Sequence, residues 1–248
     1  MKISIITITY NSAQTLQRAL DSVQSQTYKD IEHVIIDGAS TDGSCALIEA
    51  YAKAHKNVRW VSEKDKGIYD ALNKGIRLAT GDVIGFLHSD DSFYSPDSIG
   101  QIAAAFEQNQ ADVVYGDLQY MRGNKVVRRW KSNTFNPRAL KYGWMPPHPT
   151  VYVRREVYQQ VGEYDSWFRI SADYDMILRI FTAGYKTHYI PEVLVSMETG
   201  GASNKNTKAR LSKTMEDYIV LKKNHVGAGY LTVACKQLRK VRQFIRKC

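Results

Sequence analysis

Asp90 and Asp91 close the stretch Ile84-Gly85-Phe86-Leu87-His88-Ser89-Asp90-Asp91. An apolar run of this length reads as a buried strand. Its end would lie at the carboxyl edge of a sheet, where open α/β folds bind ligands. Two adjacent carboxylates repel each other unless something positive sits beside them, and a hard divalent cation with oxygen ligands would serve. A solvated Asp-Asp turn, with Asp91 or Ser92 capping a helix, is the other reading of the same residues. Asp37, Asp65 and Asp173 also stand at strand ends or helix starts. Parallel strands put their carboxyl ends on one edge, so Asp37 and Asp90/Asp91 are expected to face one crevice. No GxGxxG follows the first strand and no GxxxxGK(S/T) occurs. A nucleotide bound here would have its diphosphate carried by a metal, and strand-end acids would supply that metal.

These acids need a sheet to position them. Residues 2–9 form a β-branched strand too apolar for an exposed sheet. Ser12 can cap a helix over about 13–26 with Leu16, Ala19, Leu20 and Val23 on one face. Strands are expected at 31–36 and 58–61, with a helix at 44–53 between them. This βαβαβ order implies a parallel sheet with right-handed crossovers. A loop over 62–75 enters a helix. Thr80-Gly81-Asp82 then turns the chain into the fourth strand, which ends at Asp90-Asp91. Helices at 96–109, 154–161 and 176–183, a strand at 112–117 and a hairpin over 118–131 follow. A proline-bounded loop, 144–150, precedes the strand 151–153, and the last strand, 186–190, stops at Pro191. The small residues of 199–203 read as a flexible loop.

The chain of 248 residues suits one large α/β domain with an appendage. Its net charge of +9 is uneven. Residues 205–248 hold 12 Lys/Arg against Glu216 and Asp217, a net of +10, and the remainder nets −1. Such a tail favours a polyanionic partner. Cys45, Cys235 and Cys248 are widely spaced, which fits a reducing compartment and suggests neither a zinc site nor a disulfide framework. The opening MKISIITITY reads as a first strand and not a signal peptide. No apolar run reaches membrane-span length.

Over roughly residues 1–204 the chain resembles glycosyltransferase family 2. The resemblance rests on Ser4 to Asn11, on Asp37-Gly38-Ala39-Ser40-Thr41-Asp42-Gly43 and on Asp65 through Gly75. It continues with Thr80-Gly81-Asp82, Ser89-Asp90-Asp91, Ser171-Ala172-Asp173-Tyr174-Asp175 and Gly200-Gly201-Ala202-Ser203. It looks closest to members that build bacterial capsule, exopolysaccharide or O-antigen units. The resemblance implies a Rossmann-like, mainly parallel mixed sheet flanked by helices, the GT-A type. It divides the chain into a nucleotide-sugar half (1–117), an acceptor half (118–204) and a basic helical extension (205–248). Thr9, Tyr10 and Asn11 would line the base and ribose, and Asp37 would accept from a base N–H. Asp65, Asn73 and Lys74 would close the other side of the nucleotide. Asp90 and Asp91 match the end of the family's Asp-x-Asp motif and would hold Mg²⁺ or Mn²⁺ on the diphosphate, with Asp90 also within reach of the ribose. His88 stands where that motif has its first acid. Asp173 matches the aspartate of a Glu-Asp motif whose glutamate is Ala172 here, and would be the general base of an inverting transfer. Helix capping is its other reading, and capping or surface exposure that of Asp175. His148 and Trp144 would face the acceptor, although a lone Trp is more often core. The 200–203 loop would close over the donor.

The resemblance makes the expected activity transfer from a nucleotide-sugar, first of all a UDP-sugar, to a saccharide acceptor, often lipid-linked. In Lys236–Lys247, the residues Leu238, Val241, Phe244 and Ile245 fall on one face of a basic helix. This suits an anionic membrane surface, and hence peripheral attachment to the cytoplasmic face of an inner membrane. Packing on the body or in a homodimer contact is the competing reading. Nucleic acid is disfavoured by the neutral body and by the lack of a zinc or helix-turn-helix pattern. A family member that binds sugar nucleotides without transfer would account for His88 and Ala172.

Overall fold

The structure, a computed structural model, describes residues 1–199 and 207–245. Apolar on both faces, β1 (Ile3–Thr9) is buried along its length. Its alternation sends Ile6 and Ile8 to one side of the sheet and Ile3 and Ile5 to the other. The chain continues through α1 (Ala13–Gln24), β2 (Ile31–Asp37), α2 (Ser44–Ala54), β3 (Val58–Ser62), α3 (Ile68–Leu78) and β4 (Val83–Phe86). All four strands pair in parallel in the order β3-β2-β1-β4, which is the βαβ half that the alternation of patterns predicts.

After β4 come β5 (Asp91–Phe93), α4 (Ser98–Asn109), β6 (Val113–Arg122), β7 (Lys125–Trp130), α5 (Pro137–Leu140), β8 (Tyr152–Arg154), α6 (Arg155–Val161), α7 (Ala172–Thr182) and β9 (Thr187–Glu198). β8 inserts antiparallel between β4 and β6, and β9 runs parallel to β6. β5 is antiparallel to β9 at the far edge. β7 folds back on β6 around Gly123, as the hairpin pattern predicts. Helices α3 and α7 cover one face of the sheet, and α4 covers the other with Ile99, Ile102 and Phe106. The result is a mixed sheet flanked by helices, a GT-A type fold. Gly85 in β4 sits against the neighbouring strand, and a Cβ there would lie 2.1 Å from the Tyr152 ring.

Three boundaries differ from the sequence reading. The fourth strand ends at Phe86, so Leu87–Asp90 is a turn and Asp91 opens β5. The last strand passes through Pro191 to Glu198, because the β6–β9 register shifts between Tyr115 and Asp117, opposite 189–193. A proline has no N–H to give the ladder, and a bulge is where a strand accommodates one. The helix expected at 176–183 starts at Ala172, four residues early, which puts Asp173 in its first turn.

The basic extension forms α8 (Thr207–Lys223) and α9 (Tyr230–Ile245). It is not a loose appendage. Val220, Leu221, Val226 and Val233 join the core cluster that holds Trp144, Tyr174 and Phe181. No helix among the described residues is long and apolar enough to cross a membrane. The expected 200–203 loop lies outside the described residues, as does the end of the basic helix beyond Ile245. Two open clefts, of about 500 Å³ and 530 Å³, lie away from the strand-end acids. One is lined by Met1, Asp82, Glu107 and Arg154, and the other by the α8–α9 turn.

Candidate active site

β1 delivers Thr9 to the carboxyl edge, and the next ring, Tyr10, is 65% exposed. Asn11 takes φ 48°, a left-handed conformation that asparagine tolerates. Its N–H donates to Ser40 Oγ (2.8 Å) and its Oδ1 accepts from Thr41 N–H (2.9 Å), which stitches the β1 turn to the β2 turn. A Cβ on Gly38 would meet Asp65 Oδ2 at 3.1 Å and Tyr10 Cδ2 at 3.3 Å. Tyr10, Gly38 and Asp65 therefore converge, with glycine leaving the space between ring and acid. Lys74 holds Asp65 at 2.6 Å and Glu63 at 2.8 Å. Its hydrogen bonds to these two acids push the Lys74 pKa up. Burial raises the Asp65 pKa despite Lys74.

Two expected nucleotide contacts are otherwise engaged. Asp37 is buried at the end of β2 and accepts four donors: Ser40 N–H (2.9 Å), Ser40 Oγ (2.5 Å), Ser62 Oγ (2.6 Å) and Cys45 Sγ (3.1 Å). Burial opposes its ionisation, but the Ser40 and Ser62 bonds outweigh it and hold its pKa low. Its carboxylate organises its own turn. Asn73 is buried in α3, where Nδ2 donates to Tyr164 O (2.9 Å) and Oδ1 accepts from Tyr164 N–H (2.8 Å). Both ends of its amide are taken by one backbone unit, so Asn73 fixes the 164 loop.

In the turn after β4, Asp90 is half-buried and Asp91 is fully buried. Neither Asp91 carboxylate oxygen has a hydrogen-bond partner, and burial, with Asp90 beside it, pushes its pKa well up. Arg18 of α1 does not neutralise the pair directly. Its guanidinium donates to the Asp90 carbonyl (2.6 Å) and pairs with Glu198 (2.9 Å). A buried carboxylate without a donor beside a second acid is the condition a cation relieves. Among the described residues no three His, Cys, Asp or Glu side chains converge as a metal cage. Such a site therefore fits a cation held by one or two carboxylates and by oxygens of a substrate, the usual manner for Mg²⁺.

Asp173 sits in the first turn of α7, and its Oδ1 accepts from Tyr174 N–H at 2.8 Å. The Tyr69 hydroxyl lies against the backbone of Ala172 and Asp173. Tyr69 stacks on Tyr164, whose hydroxyl is 2.7 Å from His148 Nε2. The His148 ring stacks between Phe86 and His88. Burial, reinforced by His88, lowers His148 to about 4 against the pull of Asp173. Burial also lowers His88, against both Asp90 and Asp173. One imidazole therefore feels the acid after β4 and the acid on α7 together. Trp144, expected at the acceptor, is a core residue. It is 3% exposed, packs on Tyr115, Phe135 and Phe181, and donates Nε1–H to Ser132 O (2.7 Å). Asp175 is likewise no surface residue: it is buried among Arg179 (2.9 Å), Lys223 (3.2 Å) and Asn224 (2.9 Å).

The model of the Glycosyl transferase family 2 matches residues 4–172, well over half of the sequence. The chain belongs to this family. Over 205 residues it is 36% identical to a PGL/p-HBAD biosynthesis glycosyltransferase of Mycobacterium bovis, covering 81% of this chain and 78% of that protein. It is 32% identical over 231 residues to a glycosyltransferase of Nostoc sp., covering 87% and 70%. Among solved structures it is similar to S. aureus TarS 1-349 in complex with UDP-GlcNAc, with a TM-score of 0.72 at 17% identity. That match covers 90% of this chain and 65% of the TarS fragment. It is also similar to the mannosyltransferase PcManGT from Pyrobaculum calidifontis in complex with GDP-Man and Mn²⁺, with a TM-score of 0.68 at 19% identity, covering 94% and 69%. This family member is a glycosyltransferase of GT-A fold.

Sequence reasoning missed Arg18, Tyr69 and Tyr164, which reach the site only through tertiary packing. It also missed Glu216 and Asp217. Their signal was present: they are the only acids in a segment with 12 cations.

Proposed function

We propose that this glycosyltransferase moves a sugar from a nucleotide-sugar, with a UDP-sugar the first candidate, to a hydroxyl of a saccharide acceptor, inverting the anomeric centre. The observation that carries the reading is the run of contacts joining the two acids: His88, two residues before Asp90, stacks on His148, His148 meets the Tyr164 hydroxyl at 2.7 Å, and Tyr164 stacks on Tyr69, whose hydroxyl lies against the backbone of Ala172 and Asp173. The acid that would face the diphosphate and the acid that would take the acceptor proton thus flank one cluster of side chains. The bound sugar nucleotides of TarS and PcManGT support the donor class.

The exposed Tyr10 ring gives the base a face to stack on, with Gly38 and Asp65 beside it and Asn11 tying the two turns together. Asp37 shapes the pocket from behind, and Asn73 holds the Tyr164 loop. Asp173 removes the acceptor proton as that oxygen attacks the anomeric carbon. The bond to the diphosphate oxygen breaks, and the nucleotide diphosphate leaves on the opposite face. Proton removal by a positioned base contributes about 10²–10⁴-fold. Asp90 is the residue to hold Mg²⁺ or Mn²⁺, with Asp91 enclosed behind it. When bound, such a cation offsets charge on the leaving diphosphate. A screen of UDP- and GDP-sugars by thermal shift with Mn²⁺ tests the donor class, since a ligand of the native state raises Tm. A Tm raised by no sugar nucleotide would contradict the reading. The anomeric configuration of the product, read by NMR, tests inversion.

The acceptor is placed at an anionic membrane surface. In the structure α9 has two faces. Lys236 is buried on the body, which corrects its expected place on the membrane side. On the opposite face Leu231, Leu238 and Val241 are exposed, seven and three residues apart, and α8 adds exposed Leu211 and Met215. The net of +10 over 205–248 complements anionic headgroups. Sedimentation with phosphatidylglycerol vesicles, lost in Leu238→Asp, is expected. Equal binding to phosphatidylcholine vesicles, or none to either, would refute the placement.

A further inference from the structure

The turn ahead of Asp173 is held from far along the chain. The Glu216 carboxylate, on α8, accepts from three successive backbone N–H groups: Arg169 (3.3 Å), Ile170 (2.9 Å) and Ser171 (2.9 Å). Ser171 occupies the N-cap of α7 but makes no side-chain cap bond. Its hydroxyl instead donates to Asp217 Oδ1 (2.8 Å). Asp217 Oδ2 pairs with the buried Lys236 of α9 at 2.9 Å. The Lys236 ammonium lies 3.2 Å from the centroid of the Tyr174 ring, the residue that follows Asp173. Glu216, Asp217 and Lys236 are all buried. A carboxylate taking charge-assisted bonds from consecutive amides fixes backbone more firmly than a neutral acceptor does. The α8–α9 pair therefore grips residues on both sides of Asp173, from beyond the family-matched 4–172.

We propose that Glu216 is a positioning residue for the catalytic base: through 169–171 it sets the direction in which Asp173 meets the acceptor hydroxyl. Asp217, with Lys236, completes the grip. This rests on the reading of Asp173 as base. A displacement of about 1 Å in a reacting group can cost a hundredfold in rate. Loosening this turn acts on turnover and leaves the donor pocket around Tyr10, Gly38 and Asp65 as it was.

The test compares Glu216→Gln, Glu216→Asp, Asp173→Asn and Val220→Ala in the full chain. Val220→Ala thins the packing of α8 but keeps the carboxylate. Two quantities are read: amide hydrogen exchange over 169–171, and nucleotide release from whichever UDP- or GDP-sugar of the panel turns over. Glu216→Gln is expected to speed exchange at Ile170 and Ser171 and to lower kcat about tenfold or more, with the donor KM unchanged. Glu216→Asp falls between Gln and the native enzyme, and it stands in if Glu216→Gln does not fold. Val220→Ala loses Tm but keeps kcat. Unchanged exchange over 169–171, or native kcat in Glu216→Gln while Asp173→Asn is inactive, overturns the positioning role alone. Native turnover in Asp173→Asn overturns the base reading beneath it.

Discussion

Replacing Asn73 by alanine separates two accounts of one residue. Its sequence neighbourhood places it against the nucleotide, whereas the structure gives both ends of its amide to the Tyr164 backbone. Asn73→Ala strands one buried N–H and one buried C=O. Each unpaired buried group costs about 1–3 kcal/mol, so the pair is worth roughly 2–4 kcal/mol once some relaxation is allowed. For a chain of this size that lowers Tm by roughly 5–15 °C. Differential scanning calorimetry reads the loss, and isothermal titration with UDP reads the donor site. The structure predicts a large fall in Tm with nucleotide affinity unchanged. A normal Tm with weakened UDP binding would refute this reasoning and restore Asn73 to the nucleotide.

Further outcomes follow from other buried groups. His33 is fully buried between Thr7 and Tyr51, and burial holds its ring down to about 3. The unfolded chain therefore binds a proton that the native chain refuses between about pH 6.5 and pH 3, and stability falls as pH drops through that window. Urea midpoints should show about 2 kcal/mol lost from this group between about pH 7 and pH 5. His33→Gln should lose less over the same interval, and an equal loss would contradict the assignment. Gly85→Ala forces a methyl into the Tyr152 ring, and overpacking of this kind costs about 1–3 kcal/mol. An unchanged urea midpoint would show that β4 and β8 part freely. Asp90→Asn should abolish stabilisation by UDP that depends on Mn²⁺ while leaving the apo Tm in place. Unchanged Mn²⁺-dependent stabilisation would assign the cation elsewhere.

Local pattern carried the first half of the fold. The β-branched run of β1, the acids closing β2 and the order of strands and helices depend on neighbours in sequence, and these elements form where the pattern places them. What could not be read was partnership at a distance. Nothing near Asn73 says that its amide meets a backbone unit 91 residues later. A lone Trp144 is by type more often core yet could also stack on a sugar, and contact with Tyr115, Phe135 and Phe181 decides that it is core. A proline gives no ladder bond, so local pattern ends the strand at Pro191, and the register shift that accommodates it arises from pairing with β6. The sequence of the basic tail shows its net charge. Charge does not show which lysine turns inward, and Lys236 does so because Asp217 is there to receive it.

The central claim is that Asp173, joined to the Asp90 turn through Tyr69, Tyr164, His148 and His88, is the group that deprotonates the acceptor. Asp173→Asn keeps the size and the contact with Tyr174 N–H but removes the basic oxygen. Single-turnover transfer, measured together with nucleotide-sugar binding on the same preparation, tests it most directly. The account predicts native donor affinity with transfer reduced about 10²–10⁴-fold. Transfer at the native rate in Asp173→Asn would contradict it.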